Sequence, residues 1–253
     1  MIYVTGDIHG DIDISKLKDE SFMKKVKEGD YLIICGDFGL IWDYEGENEE
    51  EAYWLDFLDT QPYTTLFVDG NHENFERLMN DYPEALWHGG KVHRIRDTIY
   101  HLMRGQIFSI DDKLFFTMGG ATSVDKFIRL EGKSWWKEEL PSEAEYKEAL
   151  INLILADNKV DYVITHCLPT SIQEKIPNLK ERDHLTDFFE HICHILKFRK
   201  WFCGHYHRDQ LIDRKYQILY QEILTLDDEI SGVDIEERHL MMAVLRIKKE
   251  AVT

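Results

Sequence analysis

The sequence is poor in cysteine, in proline and in positive charge. Only 4 Cys occur among 253 residues, Cys35, Cys167, Cys193 and Cys203, and no two form a CxxC pair. That spacing gives no disulfide framework, and each thiol reads as a small buried hydrophobe in a reducing compartment. With 5 Pro and 15 Gly there is no Pro-, Gly- or Ser-rich linker, and no internal repeat breaks the chain. A single α/β domain spanning residues 1–253 is therefore expected. No apolar run approaches membrane-spanning length. The start, Met1-Ile2-Tyr3-Val4-Thr5, lacks the basic residues and long apolar centre of a signal peptide, so a cytoplasmic location is expected. Lys and Arg total 30 against 48 Asp and Glu, a net charge of −18. Such a surface repels phosphate backbones, which argues against strong nucleic-acid binding. A small phosphorylated substrate is still compatible if divalent cations reverse the field locally.

What is present is a generous supply of core residues: 43% are hydrophobic, with 13 Phe, 12 Tyr and 6 Trp. Five short runs of β-branched and aromatic residues stand out, at 2–5, 31–35, 65–68, 161–165 and 200–203. Each is followed at once by a residue able to bind metal. In open α/β sheets, sites form just beyond the carboxyl ends of strands, so five strands would deliver their side chains to one rim. Helical stretches are expected at 11–28, 47–58, 74–79, 142–155 (with Ser142 as N-cap) and 179–196. Further β-type runs lie at 99–103, 106–110, 114–118, 217–220 and 239–247, with Asp111-Asp112 as a hairpin turn. The mixture predicts two stacked sheets flanked by helices.

The first motif is Gly6-Asp7-Ile8-His9-Gly10. Asp7 and His9 alternate, so on extended backbone both point the same way, and the glycines permit a tight bend. The others are Gly36-Asp37-Phe38-Gly39, Gly70-Asn71-His72-Glu73, Thr165-His166 and Gly204-His205-Tyr206-His207. A carboxylate such as Asp37 can bridge two cations. Together Asp7, His9, Asp37, Asn71, His166, His205 and His207 supply four imidazoles, two carboxylates and one amide. Seven ligands are too many for one tetrahedral ion and suit two ions sharing Asp37. Nitrogen and oxygen donors without thiolate suit Mn, Fe, Zn, Ni or Co better than a Cys-bound structural zinc, and Mn²⁺ is the ion expected among them.

The signatures GDIHG, GDFG, GNHE, TH and GHYH occur in that order over residues 6 to 207. On these the sequence resembles the calcineurin-like metallophosphoesterases. The resemblance implies a four-layer αββα sandwich with the metal site at the strand C-terminal ends. It implies one ion on Asp7, His9 and His207, a second on Asn71, His166 and His205, and Asp37 as bridge. His72 matches the family histidine that lies near the leaving group and is not a ligand. The activity implied is hydrolysis of phosphoester bonds by a metal-bridging hydroxide, with His72 protonating the departing oxygen.

One departure matters. Phosphoprotein phosphatases of this superfamily carry an Asp-Arg pair shortly after the second motif, whereas Asp37 is followed here by Phe38-Gly39-Leu40-Ile41-Trp42-Asp43. The phosphate-gripping arginine and the aspartate that orients the histidine are both missing there, leaving Asp43 and Glu73 as candidate partners of His72. A segment near 119–141, containing Arg129 and Trp135-Trp136, resembles one in small bacterial and phage-encoded members. Arg129 is a candidate substrate ligand there, and the tryptophans read as packing. His88, His93, His101, His184, His191, His194 and His239 read as surface or hydrogen-bonded histidines. Arg77 and Arg104 read as ordinary surface arginines, and the acidic run 45–51 as a helix start. The function expected is a two-metal hydrolase acting on a small phosphomonoester or phosphodiester, nucleotides included. The alternatives are a nuclease of the same fold and a catalytically silent scaffold.

Overall fold

The computed structural model describes residues 1–179 and 181–226. The expected run at 239–247 lies outside them. One sheet contains β1 (Ile2–Thr5), β2 (Asp30–Cys35), β3 (Tyr63–Val68), β4 (Glu84–Trp87), β5 (Gly90–Arg94), β6 (Ile99–Leu102) and β13 (Ile223–Thr225), in the order β13-β1-β2-β3-β6-β5-β4. The other contains β7 (Gln106–Ile110), β8 (Lys113–Met118), β9 (Tyr162–Thr165), β10 (Lys200–Cys203), β11 (Gln210–Ile212) and β12 (Tyr216–Ile218), in the order β11-β12-β10-β9-β8-β7. Strands β1, β2, β3 and β6 run parallel, as do β8, β9, β10 and β12, with antiparallel strands at the edges. Both sheets are therefore mixed, as the residues predict.

The four layers follow from the period of two along each strand. Ile2, Val4, Ile33, Cys35, Leu66 and Val68 meet Phe115, Tyr162, Ile164 and Phe202 in the core between the sheets. Their neighbours Tyr3, Leu32, Ile34 and Phe67 face the other way, onto Leu17, Phe22, Leu55, Leu58 and Leu78. On the second sheet Phe116, Met118, Val163, Trp201 and Cys203 pack outward against Tyr146, Leu153, Leu185 and Phe189. Strands buried on both faces read as continuous apolar runs, which is why the five runs were conspicuous.

The helices are α1 (Glu20–Met23), α2 (Glu49–Asp59), α3 (Phe75–Asn80), α4 (Glu143–Leu155), α5 (Thr170–Gln173) and α6 (His184–Ile195). Ser142 does cap α4, through a reciprocal box with Glu145. The long helix expected at 11–28 is broken into a 3₁₀ turn, Ile14–Lys18, and the short α1. The cause is Asp19, whose carboxylate accepts from the backbone N–H of Ser21 and Phe22 and so starts a new helix. Likewise Asp183 caps α6 at Thr186, cutting the helix expected at 179–196 short. Asp111 and Asp112 form the expected hairpin turn, both at positive φ. His88 and Gly89 make a similar turn between β4 and β5, strands that residue patterns did not reveal because β4 is mostly exposed. Among the described residues no helix is long and apolar enough to cross a membrane.

Arg77 and Arg104 are not surface residues; both are buried. Arg77 Nη1 lies 2.8 Å from Glu51 Oε2, and Glu51 Oε1 also accepts from the backbone N–H of Trp42 and Asp43. The acidic helix start thus turns one carboxylate inward, to hold the segment that follows Asp37. Truncating Arg77 would strand the Glu51 charge in the interior. Arg77→Ala is expected to cost about 3 kcal/mol, measured as a lowered midpoint of denaturant unfolding. A midpoint equal to that of the wild type would show that Glu51 needs no cation.

Candidate metal centre

The parallel strands β1, β2 and β3 end at Thr5, Cys35 and Val68, and β9 and β10 end at Thr165 and Cys203. All seven expected ligands lie one to four residues beyond these ends, on a rim shared by the two sheets. The backbone there is not extended, as the alternating motifs had suggested. His9, Asp37, His205 and His207 have φ of 42°, 46°, 68° and 47°, in the left-handed region that non-glycine residues avoid. Each such residue costs on the order of 1 kcal/mol and persists only where its surroundings over-determine it. Here those surroundings are hydrogen bonds between motifs. The Asp37 carbonyl accepts from the N–H of Ile8 and His9. Asp37 Oδ1 accepts from the N–H of Asn71 and His72, at 2.8 and 2.9 Å. Asp7 Oδ1 accepts from His205 N at 2.9 Å.

The side chains converge. His9 Nε2 is 3.2 Å from Asp37 Oδ2, His166 Nε2 is 3.3 Å from Asp37 Oδ1, and His207 Nε2 is 3.3 Å from Asp7 Oδ2. Asp7, His9, Asp37 and His207 each offer a ligand atom within 4.8 Å of the others. Some signature glycines act through space rather than through torsion. A Cβ on Gly70 would stand 2.1 Å from Asp37 Oδ1, and one on Gly204 would stand 1.9 Å from Asp7 Oδ1. Each of these motifs thus leaves room for a ligand of another.

The donor set fits divalent cations. Asn71 Oδ1 is buried with no hydrogen-bond partner, and His166 Nε2 is buried with the Asp37 carboxylate at 3.3 Å but outside hydrogen-bond geometry, both expensive states unless an ion takes these atoms. The other atom of each group is already committed: Asn71 Nδ2 donates to Ser123 Oγ, and His166 Nδ1 donates to the Cys35 carbonyl at 2.8 Å. Electrostatics agree. Burial works against charge on His166, but Asp37 and Asp7 outweigh it and hold the imidazole up at about 10. Burial is likewise overcome at His9, held up at about 9 by Asp37, Asp7 and Asp13. Burial alone would raise Asp37, yet His166 and His9 keep it well below the usual carboxylate range. The cluster is built to enclose positive charge, which metal ions would supply in place of protons.

The family model for calcineurin-like phosphoesterases matches residues 1–209. The chain belongs to this family. It is accordingly a metal-dependent phosphoesterase, with the metal-binding cluster just described. Among curated proteins none matches.

Around His72 the phosphoesterase differs from what the residues suggested. Neither Asp43 nor Glu73 touches its imidazole. The Asp43 carbonyl accepts from Asn74 and Arg77. Glu73 is buried and accepts from Phe38 N and Gly70 N, which ties the second motif to the third; burial, with Asp37 and Asp69 close by, pushes it up. Instead Trp42 stacks on the His72 ring, with centroids 5.5 Å apart, and Trp136 packs edge-on against Trp42. Arg129 Nη2 is 3.2 Å from His72 Nε2, while Asp125 holds Arg129 Nε at 2.8 Å. Guanidinium only donates, so the imidazole nitrogen facing it is an acceptor. Burial lowers the pKa of His72; Asp37 opposes this and Arg129 adds to it.

The segment carrying Arg129 is fastened from below. Arg104 donates to Asp69 Oδ2 through Nε and Nη2, at 2.9 and 2.6 Å, and also to the carbonyls of Glu138 and Glu139. Asp69 also bonds His101, which bonds His93, so these two are buried hydrogen-bonded histidines, as read. Trp42, Ser123, Asp13, Lys16 and Glu181 all shape the site and were not singled out for that role. Only Asp13 left a trace in the sequence, four positions after His9.

Gly70→Ala is expected to force Asp37 out of place. Metal retained after dialysis should fall, and stability should drop by roughly 1–3 kcal/mol. Full metal content and unchanged thermal unfolding would mean that the Asp37 carboxylate has slack that its contacts do not show.

Proposed function

We propose that the phosphoesterase hydrolyses a small phosphomonoester or phosphodiester, nucleotides included, in the cleft above the metal centre. The carrying observation is the meeting of Arg129 and His72 beside Asp37 and Asn71 in a cleft of about 540 Å³. That volume suits a small molecule. Arg208 also lines it, giving a second cation. The proposed ligands are Asp7, His9 and His207 for one ion and Asn71, His166 and His205 for the other, with Asp37 between them. Mn²⁺ is the proposed metal; the nitrogen and oxygen donors suit it, as they suit Fe, Zn, Ni or Co. Two divalent ions, when bound, activate water for attack on phosphorus and neutralise phosphoryl charge.

The chain's own groups do the rest. Arg129 is positioned to bind a phosphoryl oxygen, a stronger partner for guanidinium than an imidazole nitrogen. Its departure from His72 leaves Nε2 free to take up a proton from solvent and pass it to the leaving oxygen, with Trp42 keeping the ring in place. The net charge of −18 disfavours a nuclease, because a long phosphate backbone would meet an acidic surface. A silent scaffold is disfavoured by the convergence of Asp7, His9, Asp37 and His207, with His166 and His72 beside them. A cytoplasmic setting is supported by Cys35, Cys167 and Cys203, all buried as free thiols.

Metal-stripped protein refilled with Mn²⁺ is expected to release p-nitrophenol from p-nitrophenyl phosphate or its bis ester. Folded protein that releases none from either ester would favour the scaffold, and the preferred ester separates monoesterase from diesterase. His72→Ala should lower kcat by roughly 10²–10⁴-fold and keep both metal equivalents. Loss of one equivalent would make His72 a ligand instead. Arg129→Ala should raise KM at least as much as it lowers kcat; an unchanged KM would remove Arg129 from substrate binding.

A further inference from the structure

We propose that two carboxylates outside the signatures, Asp13 and Glu181, each orient the ligands of a different ion, so that the two metal positions can be emptied separately. The inference rests on the three-and-three ligand division above. An imidazole presents one nitrogen to a metal reliably when the other donates its proton to a fixed acceptor.

At the first position that acceptor is Asp13. Its Oδ2 lies 2.8 Å from His9 Nδ1, which leaves His9 Nε2 for the ion. Its Oδ1 accepts from Tyr220 Oη at 3.1 Å, and the Tyr220 ring stacks on His207 with centroids 4.9 Å apart and planes at 21°. One carboxylate therefore holds His9 directly and His207 through Tyr220, two of the three ligands assigned to this ion. The arrangement is pinned at its base by Lys16, whose Nζ donates to the carbonyls of Gly6, Asp7 and Tyr220.

At the second position the acceptor is Glu181, from the loop between α5 and α6. Its Oε2 lies 3.0 Å from His205 Nε2, so Nδ1 is the nitrogen left for the ion. The other two ligands of this position have neutral supports, Cys35 O for His166 and Ser123 Oγ for Asn71. Glu181 is thus the carboxylate on which this position depends. It also lines the substrate cleft, so the wall that meets substrate is tied to one ion.

The test uses the full chain, stripped by chelator and titrated with Mn²⁺ by calorimetry, while electron paramagnetic resonance reads the coupled signal of an ion pair. Wild-type protein should bind two Mn²⁺ and show that signal. Asp13→Ala and Glu181→Ala should each weaken one equivalent by about 10–100-fold, abolish the coupled signal at limiting Mn²⁺, and leave the other equivalent tight. The double variant should hold neither tightly. Asp13→Asn and Glu181→Gln keep an acceptor oxygen and should recover most of the affinity. Circular dichroism checks folding; should Asp13→Ala fail to fold, Tyr220→Phe, which frees Asp13 from the tyrosine but keeps the ring, should show a smaller loss of one equivalent.

A double variant that still binds one ion tightly would overturn the proposal, because both carboxylates would then serve one position. Single variants with wild-type affinity would overturn it too, as would equal losses in alanine and amide variants, which would make the carboxylates direct ligands. Two ions in the wild type with any of these results would leave the binuclear reading standing. A wild-type stoichiometry of one would overturn that reading and this proposal with it.

Discussion

The carboxylate of Asp37 is the point on which the structure turns. It is buried, it accepts two backbone N–H groups from the third motif, and it stands within 3.3 Å of an imidazole from each sheet. A buried charge with this many partners cannot move far without leaving one of them unsatisfied. Its position therefore sets the spacing between the two sheets at the rim. The glycine contacts are the steric side of the same constraint, since Gly70 lies against Asp37 with no room for a side chain. The left-handed residues are its conformational side: strain at His9, Asp37, His205 and His207 is held by the contacts that metal binding would reinforce.

The same logic explains why the layers come in this order. Parallel strands buried on both faces bring their carboxyl ends together without further instruction. Two such sheets, packed through Ile33, Val68, Phe115, Ile164 and Phe202, place donors from β1, β2 and β3 opposite donors from β9 and β10. Neither sheet alone could assemble the set. Family membership and this geometry agree on a metal-dependent phosphoesterase.

Around that shared centre the chain builds its own cleft. The segment at 119–141 is moored by Arg104 to Asp69, the residue that precedes the third motif. Through Ser123 it touches Asn71, and through Arg129 it touches His72. Movement of this segment would thus be felt by a proposed metal ligand and by the proposed acid together. Trp42, after the second motif, supports His72 where phosphoprotein phosphatases of the superfamily carry an Asp-Arg pair.

The sequence by itself determined the strands that end at the rim and the residues that follow them. Both are local properties: apolar runs report two-sided burial, and Asp7, Asp37 and His166 each lie within two residues of a strand end. It also revealed the cap at Ser142 and the Asp111-Asp112 turn, because caps and hairpins are written in adjacent residues. Only the tertiary structure decided the partners. Arg129 reaches His72 from 57 positions away, Glu181 reaches His205 from 24, and Arg104 reaches Asp69 from 35. No local period encodes such pairs. Whether a charged side chain is solvated or buried depends on what the fold lays over it, so Arg77 and Arg104 looked like surface residues until the layers closed around them.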